Sequence, residues 1–171
     1  MIEGILEKID PSKTADRDLI AKAFEFAKKA HEGQYREGGE PYITHPVAAA
    51  KIIANLKLDS AAIAACLMHD VLEDTGVTEK EMEKEFGKEV AFLVKGVTKL
   101  ASLSYQNESN SKEKQNLKAQ SLRKMFFAMA EDIRVILIKL ADRYHNMTTL
   151  QTCAPEKRKR IALETLEIYA P

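Results

Sequence analysis

Apolar residues return every three or four positions along most of the chain, and strand-like alternation is hard to find. That period places them on one face of successive helices. Leu19, Ile20, Ala23, Phe24, Ala27 and Ala30 make a first stripe that stops near Gly33. Residues 34–44 hold two glycines and a proline, which predicts a loop. Pro46 suits the first turn of a second helix running toward Leu56. Asp59 or Ser60 can cap a third helix over the apolar run Ala61 to Met68, and that helix is expected to continue into His69-Asp70. Thr78 and Glu81 have capping-box spacing for a short fourth helix ending near Gly87, with a fifth through Val90, Leu93, Val94 and Val97. At about 101–118 the composition turns polar, predicting a mobile loop. Two longer patterns follow, Leu117–Ala130 and Ile133 to about Thr149, and Pro155 opens a last helix reaching Tyr169. With no internal repeat, the pattern predicts an all-α, multi-helix domain.

The 171 residues suit one domain, and 45% hydrophobic content supports a real core. Lysines plus arginines number 26, as do aspartates plus glutamates, so formal net charge is zero. A broad surface for nucleic acid or anionic membrane is therefore not expected, while a local basic pocket stays open. The mixed run Glu156 to Arg160 reads as a solvated helix face. Cys66 and Cys153 lie far apart and read as core or near-core thiols. There is no 18-residue apolar run and no apolar leader, so a cytoplasmic chain is expected.

The chemistry gathers in HDVLEDT, where His69, Asp70, Glu73 and Asp74 fall within six residues beside an apolar face. Buried charge is expensive unless paired or bound to a cation, so such a cluster suggests a metal site. On a continuous helix His69 would stack with Glu73 and Asp70 with Asp74. Asp142, Asn146 and Thr149 share a face in the same way, and His45 precedes Pro46 at a loop-to-helix junction. A site of His45, His69, Asp70 and Asp142 offers two nitrogens and two carboxylates, which suits Mn, Fe or Zn better than Mg or Ca. Glu73 and Asp74 would then be free to orient or deprotonate an attacking water. His31 and His145 are expected in structural or supporting positions.

Five blocks carry a resemblance: residues 30–52, 64–75, 89–100, 122–147 and 160–171. The chain resembles the hydrolase domain of the RelA/SpoT-type alarmone enzymes, a branch of the HD-domain metal-dependent phosphohydrolases. The resemblance implies removal of the 3′-pyrophosphate from (p)ppGpp with one manganese ion, giving GDP or GTP and pyrophosphate, a reaction of stringent-response control. It makes His45, His69, Asp70 and Asp142 the metal ligands and Glu73 and Asp74 the water-activating pair. It places Arg36 against the guanine and Tyr42, Asn146 and Thr149 along the nucleotide pocket. The partners implied are ppGpp and pppGpp, with no nucleic acid and no membrane; the oligomeric state stays open. The alternatives are an HD-type hydrolase of another nucleotide such as NADPH, or a guanine-nucleotide-binding regulatory module without turnover.

Some positions depart from the family's pattern. Glu37 and Gly38 stand where a basic residue and a serine are usual, and an acid there would weaken attraction to a polyphosphate. The sequence stops at ETLEIYAP, where long members continue toward a synthetase region, so a hydrolase domain trimmed from a longer protein is expected over 1–171.

Overall fold

The computed structural model of the chain describes residues 1–101, 123 and 130–169. The expected mobile loop at about 101–118 and the expected helix over 117–130 fall almost wholly outside them. The described residues form α1 (Glu3–Leu6), α2 (Thr14–Ala30), α3 (Thr44–Asn55), α4 (Ser60–Leu67), α5 (Val71–Asp74) and α6 (Glu79–Ala101). There follow α7 (Ile133–Thr148), a 3-10 turn at Leu150–Thr152, α8 (Pro155–Glu164) and a π turn at Thr165–Tyr169. Among them there is no strand, only an isolated bridge between Tyr35 and Pro41 that pins the base of the loop before α3. No helix of the described residues is long and apolar enough to cross a membrane.

The centre of the fold is α4, sequence SAAIAACL, whose residues Ala61 through Leu67 are all buried. A helix that is apolar all round has no solvent face to offer. Its small alanines let α2, α3, α6 and α7 pack against it. Asp59 starts it by accepting a 2.8 Å hydrogen bond from the Ala62 amide, a cap that contributes about 1 kcal/mol. Capping-box bonds also form, with the Thr78 amide donating to Glu81 and the Glu81 amide donating to Thr78 Oγ1. The predicted break near Gly87 is real: its φ of 79° bends α6 into two segments. Gly96 has a different task, since a Cβ there would lie 2.9 Å from Val135 Cγ2 and force α6 and α7 apart.

One expectation fails. The third helix does not continue through His69-Asp70. It ends at Leu67, Met68 leaves helical geometry with φ −113° and ψ 10°, and Asp70 begins the separate helix α5. The cause is local. The Cys66 carbonyl, which a continuing helix would offer to the Asp70 amide, is taken at 2.7 Å by His69 Nδ1. The imidazole caps the helix and turns the chain into a cavity.

Candidate metal centre and its pocket

Three elements deliver four electron-pair donors to one point. His45 comes from the first turn of α3, His69 and Asp70 from the turn that ends α4, and Asp142 from the buried face of α7. His45 Nε2 lies 3.1 Å from Asp142 Oδ1 and 3.6 Å from Asp70 Oδ2. His69 Nε2 lies 3.2 Å from Asp70 Oδ2 and 3.7 Å from Asp142 Oδ1. Ligand atoms of His45, His69 and Asp142 all fall within 4.8 Å of one another, and all three residues are buried. The separation in sequence, up to 97 residues between His45 and Asp142, is closed by α3 packing on α4 and α7.

The residues fit a divalent cation. A carbonyl can only accept, so His69 Nδ1 must carry the proton that it gives to Cys66. In the neutral ring Nε2 is then a bare lone pair, buried, without a hydrogen-bond partner among the described residues and facing two carboxylates. Such an arrangement requires positive charge at its centre. The titration behaviour points the same way. Burial opposes a charge on His69, yet Asp70 and Asp142 override it and raise its pKa well above the usual value. Burial would raise both carboxyls too, but His69 beside Asp70 and Lys139 beside Asp142 hold them well below the usual range.

A second ring of side chains sets the orientation of the first. The Tyr42 hydroxyl sits 2.8 Å from Asp70 Oδ2 and 2.9 Å from Asp74 Oδ2. With one proton it serves one carboxylate at a time, so it couples the two aspartates. Burial, then Asp70, push the phenol far above its ordinary pKa and keep it a donor. Its ring stacks on His31 at 4.5 Å, and His31 Nδ1 meets Gln34 Oε1, whose amide donates to the Asp74 carbonyl. His45 Nδ1 lies 2.7 Å from His145 Nδ1. If His45 offers Nε2 to a cation, Nδ1 must donate and His145 must accept, which needs a neutral His145. Burial, reinforced by His45 and Arg36, lowers the His145 pKa to about 4 and meets that need. Asn146 Nδ2 donates to Asp142 Oδ1 at 2.6 Å.

His45, Asp70 and Asp142 line a cavity of about 500 Å³, together with Arg36, Tyr42, Glu73, Asp74 and Asn146, while His69 lies buried behind them. Arg36 donates through one guanidinium nitrogen to Asn146 Oδ1 at 3.1 Å and Thr149 Oγ1 at 3.2 Å, which fixes its plane. The candidates therefore converge, with one rearrangement. The Asp70–Asp74 column survives across a single turn, the Asp74 amide donating to the Asp70 carbonyl at 2.8 Å. The His69–Glu73 column does not, because His69 is buried in the turn while Glu73 is exposed on the cavity side. Desolvation at the cavity wall nonetheless raises the Glu73 pKa, against the pull of Lys139.

Sequence reasoning missed Lys139. Its ammonium is buried 2.8 Å from Asp142 Oδ2 and remains charged because Asp142 overrides burial. This leaves Oδ1 facing the histidines. A lysine three residues before an aspartate on an otherwise apolar helix face was the available signal. Arg143, joined to Glu164 at 2.7 Å with its guanidinium 4.6 Å from the Tyr169 ring centre, was also missed. It ties α7 to the turns after α8. Glu37, expected as a bare acid, is paired with Lys157.

A helical bundle that brings two buried histidines together with the carboxylates of Asp70 and Asp142 has the donors that suit a divalent cation. The chain belongs to the HD domain family, whose family model matches residues 23–171. It is 55% identical over 152 residues to the bifunctional (p)ppGpp synthase/hydrolase SpoT of Escherichia coli K12, covering 89% of this chain and 21% of that protein. It is 54% identical to the GTP pyrophosphokinase of Myxococcus xanthus, over 91% of this chain and 20% of that protein. It is 46% identical to the guanosine-3′,5′-bis(diphosphate) 3′-pyrophosphohydrolase of Aquifex aeolicus, over 99% of this chain and 23% of that protein. The chain thus spans about a fifth of the length of these relatives. Among solved structures, a metazoan orthologue of SpoT that hydrolyses ppGpp superposes with a TM-score of 0.66 at 25% identity, covering 88% of this chain and 83% of that one.

Proposed function

We propose that the chain is a Mn²⁺-dependent hydrolase that removes the 3′-pyrophosphate from ppGpp or pppGpp. The observation that carries this reading is one cavity lined by His45, Asp70 and Asp142 together with the Glu73 and Asp74 carboxylates, with His69 buried beside those donors. Relatives named for this hydrolysis, and the orthologue that performs it, supply the substrate class. One relative is named a pyrophosphokinase instead. A carboxylate pair beside cation donors favours hydrolysis, since it is suited to take a proton from water.

Mn²⁺ at the four donors would lower the pKa of an attacking water and offset charge on the phosphoryl oxygens. The protein's own groups do the rest. Tyr42 and the Gln34 contact hold Asp74 in place to accept the water's proton. Glu73, whose pKa burial raises, is the second carboxylate on the cavity wall beside Asp74. The water oxygen bonds to phosphorus, the phosphorus–O3′ bond breaks, and O3′ regains a proton, leaving GDP or GTP and pyrophosphate. Arg36, its plane fixed by Asn146 and Thr149, offers a flat cation to the guanine face.

The test is product analysis of ppGpp incubated with the chain, with and without Mn²⁺. Pyrophosphate and GDP in equal amounts, only with metal, are expected. Orthophosphate as the sole phosphorus product, or ppGpp bound and returned intact, would overturn the reading.

A further inference from the structure

Most of the cavity's cations are already partnered, and the partners differ. Lys139 is buried against Asp142 and Arg143 against Glu164, with side chains roughly a tenth exposed or less on every member. Arg36 is held by the neutral Asn146 and Thr149 and lies 3.9 Å from Glu40 Oε1, with its own side chain 14% exposed. Lys157, on the first turn of α8, is different: its acid is Glu37, and the two side chains are 44% and 39% exposed. Lys157 Nζ lies 2.5 Å from Glu37 Oε1, while Glu37 Oε2 accepts from the Ala154 amide at 3.3 Å. This joins the loop before α3 to α8 across the cavity mouth. Arg160, on the same cavity wall, makes no ion pair among the described residues.

An exposed ion pair is weak and exchangeable, whereas a buried one is not. A polyphosphate is a stronger partner for an ammonium than a single carboxylate. We propose that Glu37 is a built-in competitor for the phosphate groups of the nucleotide: it holds Lys157 across the cavity mouth, and a polyphosphate enters by displacing it and bridging Lys157 and Arg160. Glu37 then sets affinity and selectivity without touching the chemistry. The lysine's contact also holds the Glu37 carboxyl below its usual pKa, so the competitor stays charged near neutrality.

This inference rests on a nucleotide polyphosphate as the substrate, so its test measures binding without turnover. Equilibrium binding of ppGpp, and separately of guanosine, is compared for the metal-free wild-type chain, Glu37→Gln, Lys157→Met and the double variant. Glu37→Gln is expected to bind ppGpp more tightly by up to about five-fold, the scale of one exposed ion pair. That gain should shrink as salt rises and leave guanosine binding unchanged. Lys157→Met should weaken ppGpp binding, because it removes a phosphate contact, and should erase the Glu37→Gln gain in the double variant. Equal or weaker ppGpp binding by Glu37→Gln, a gain shared by guanosine, a gain that survives loss of Lys157, or no ppGpp binding by either chain would overturn the proposal. A wild-type chain that binds ppGpp but does not hydrolyse it with Mn²⁺ refutes the hydrolase reading alone; a binding result unaffected by Glu37 refutes the competitor alone.

Discussion

The two ends of the cavity solve opposite problems. At the inner end, lone pairs and carboxylates face each other in a buried space, and Lys139 offsets part of their negative charge. At the outer end, cations stand in or near water, and Lys157 and Arg36 are held by contacts that a ligand can replace. The inner end is rigid because its groups are fixed by helices and by one another. Rearrangement at the outer end costs little because it is solvated. A substrate with a polyphosphate would meet selection at the outer end and chemistry at the inner one.

The largest break in that contrast comes from the reacting pair. Asp74→Asn keeps size and the Tyr42 contact but removes the base. Turnover should fall by about 10² to 10⁴ while Mn²⁺ and ppGpp still bind; steady-state rates combined with binding measurements check this. Full activity would remove Asp74 from its role. Next comes Arg143→Met, which leaves Glu164 buried without its cation. A loss of roughly 3–5 kcal/mol in urea-unfolding stability is expected, because an uncompensated buried charge is costly. A loss under 1 kcal/mol would mean the C-terminal turns do not brace α7.

Tyr42→Phe is a smaller probe. It removes the shared hydroxyl but keeps the ring on His31, so kcat should drop by about ten-fold with KM nearly unchanged. A change confined to KM would return Tyr42 to a nucleotide-contacting role alone. The smallest effect is in pH. Unfolded histidine titrates near 6.5, whereas burial holds native His145 down to about 4 and lowers His45 as well. Between those limits these two histidines bind protons in the unfolded chain that the native one refuses, so they make stability rise with pH from about 4 to about 6.5, an increase that Glu73, raised by burial in the native state, offsets in part. His69, raised in the native state, is protonated in both states there and acts only above that window. Urea midpoints at pH 5 and pH 6.5 test the slope; a higher midpoint at pH 5 would contradict it.

Much of this was readable in the residues. Periodicity marked the helices because each buries one apolar stripe, and capping chemistry at Asp59 and Thr78 located starts to the residue. The site's chemistry was legible because two histidines and two aspartates are unusual beside core faces. What escaped was tertiary or local competition. His69 ends α4 by taking the Cys66 carbonyl, which a periodicity reading cannot see. Tyr42 reaches the aspartates, and Glu37 reaches Lys157, only after distant segments pack. Lys139 resembled any surface lysine until α7 was seated with that face inward.

The central claim is that the inner donors hold one divalent cation. Mn²⁺ titration followed by electron paramagnetic resonance, on wild type and Asp142→Ala, tests it without reference to turnover. One ion per wild-type chain, and binding weakened by at least about ten-fold in the variant, is the result predicted for a lost first-contact carboxylate. Equal binding by both chains, or none by wild type, would contradict the account.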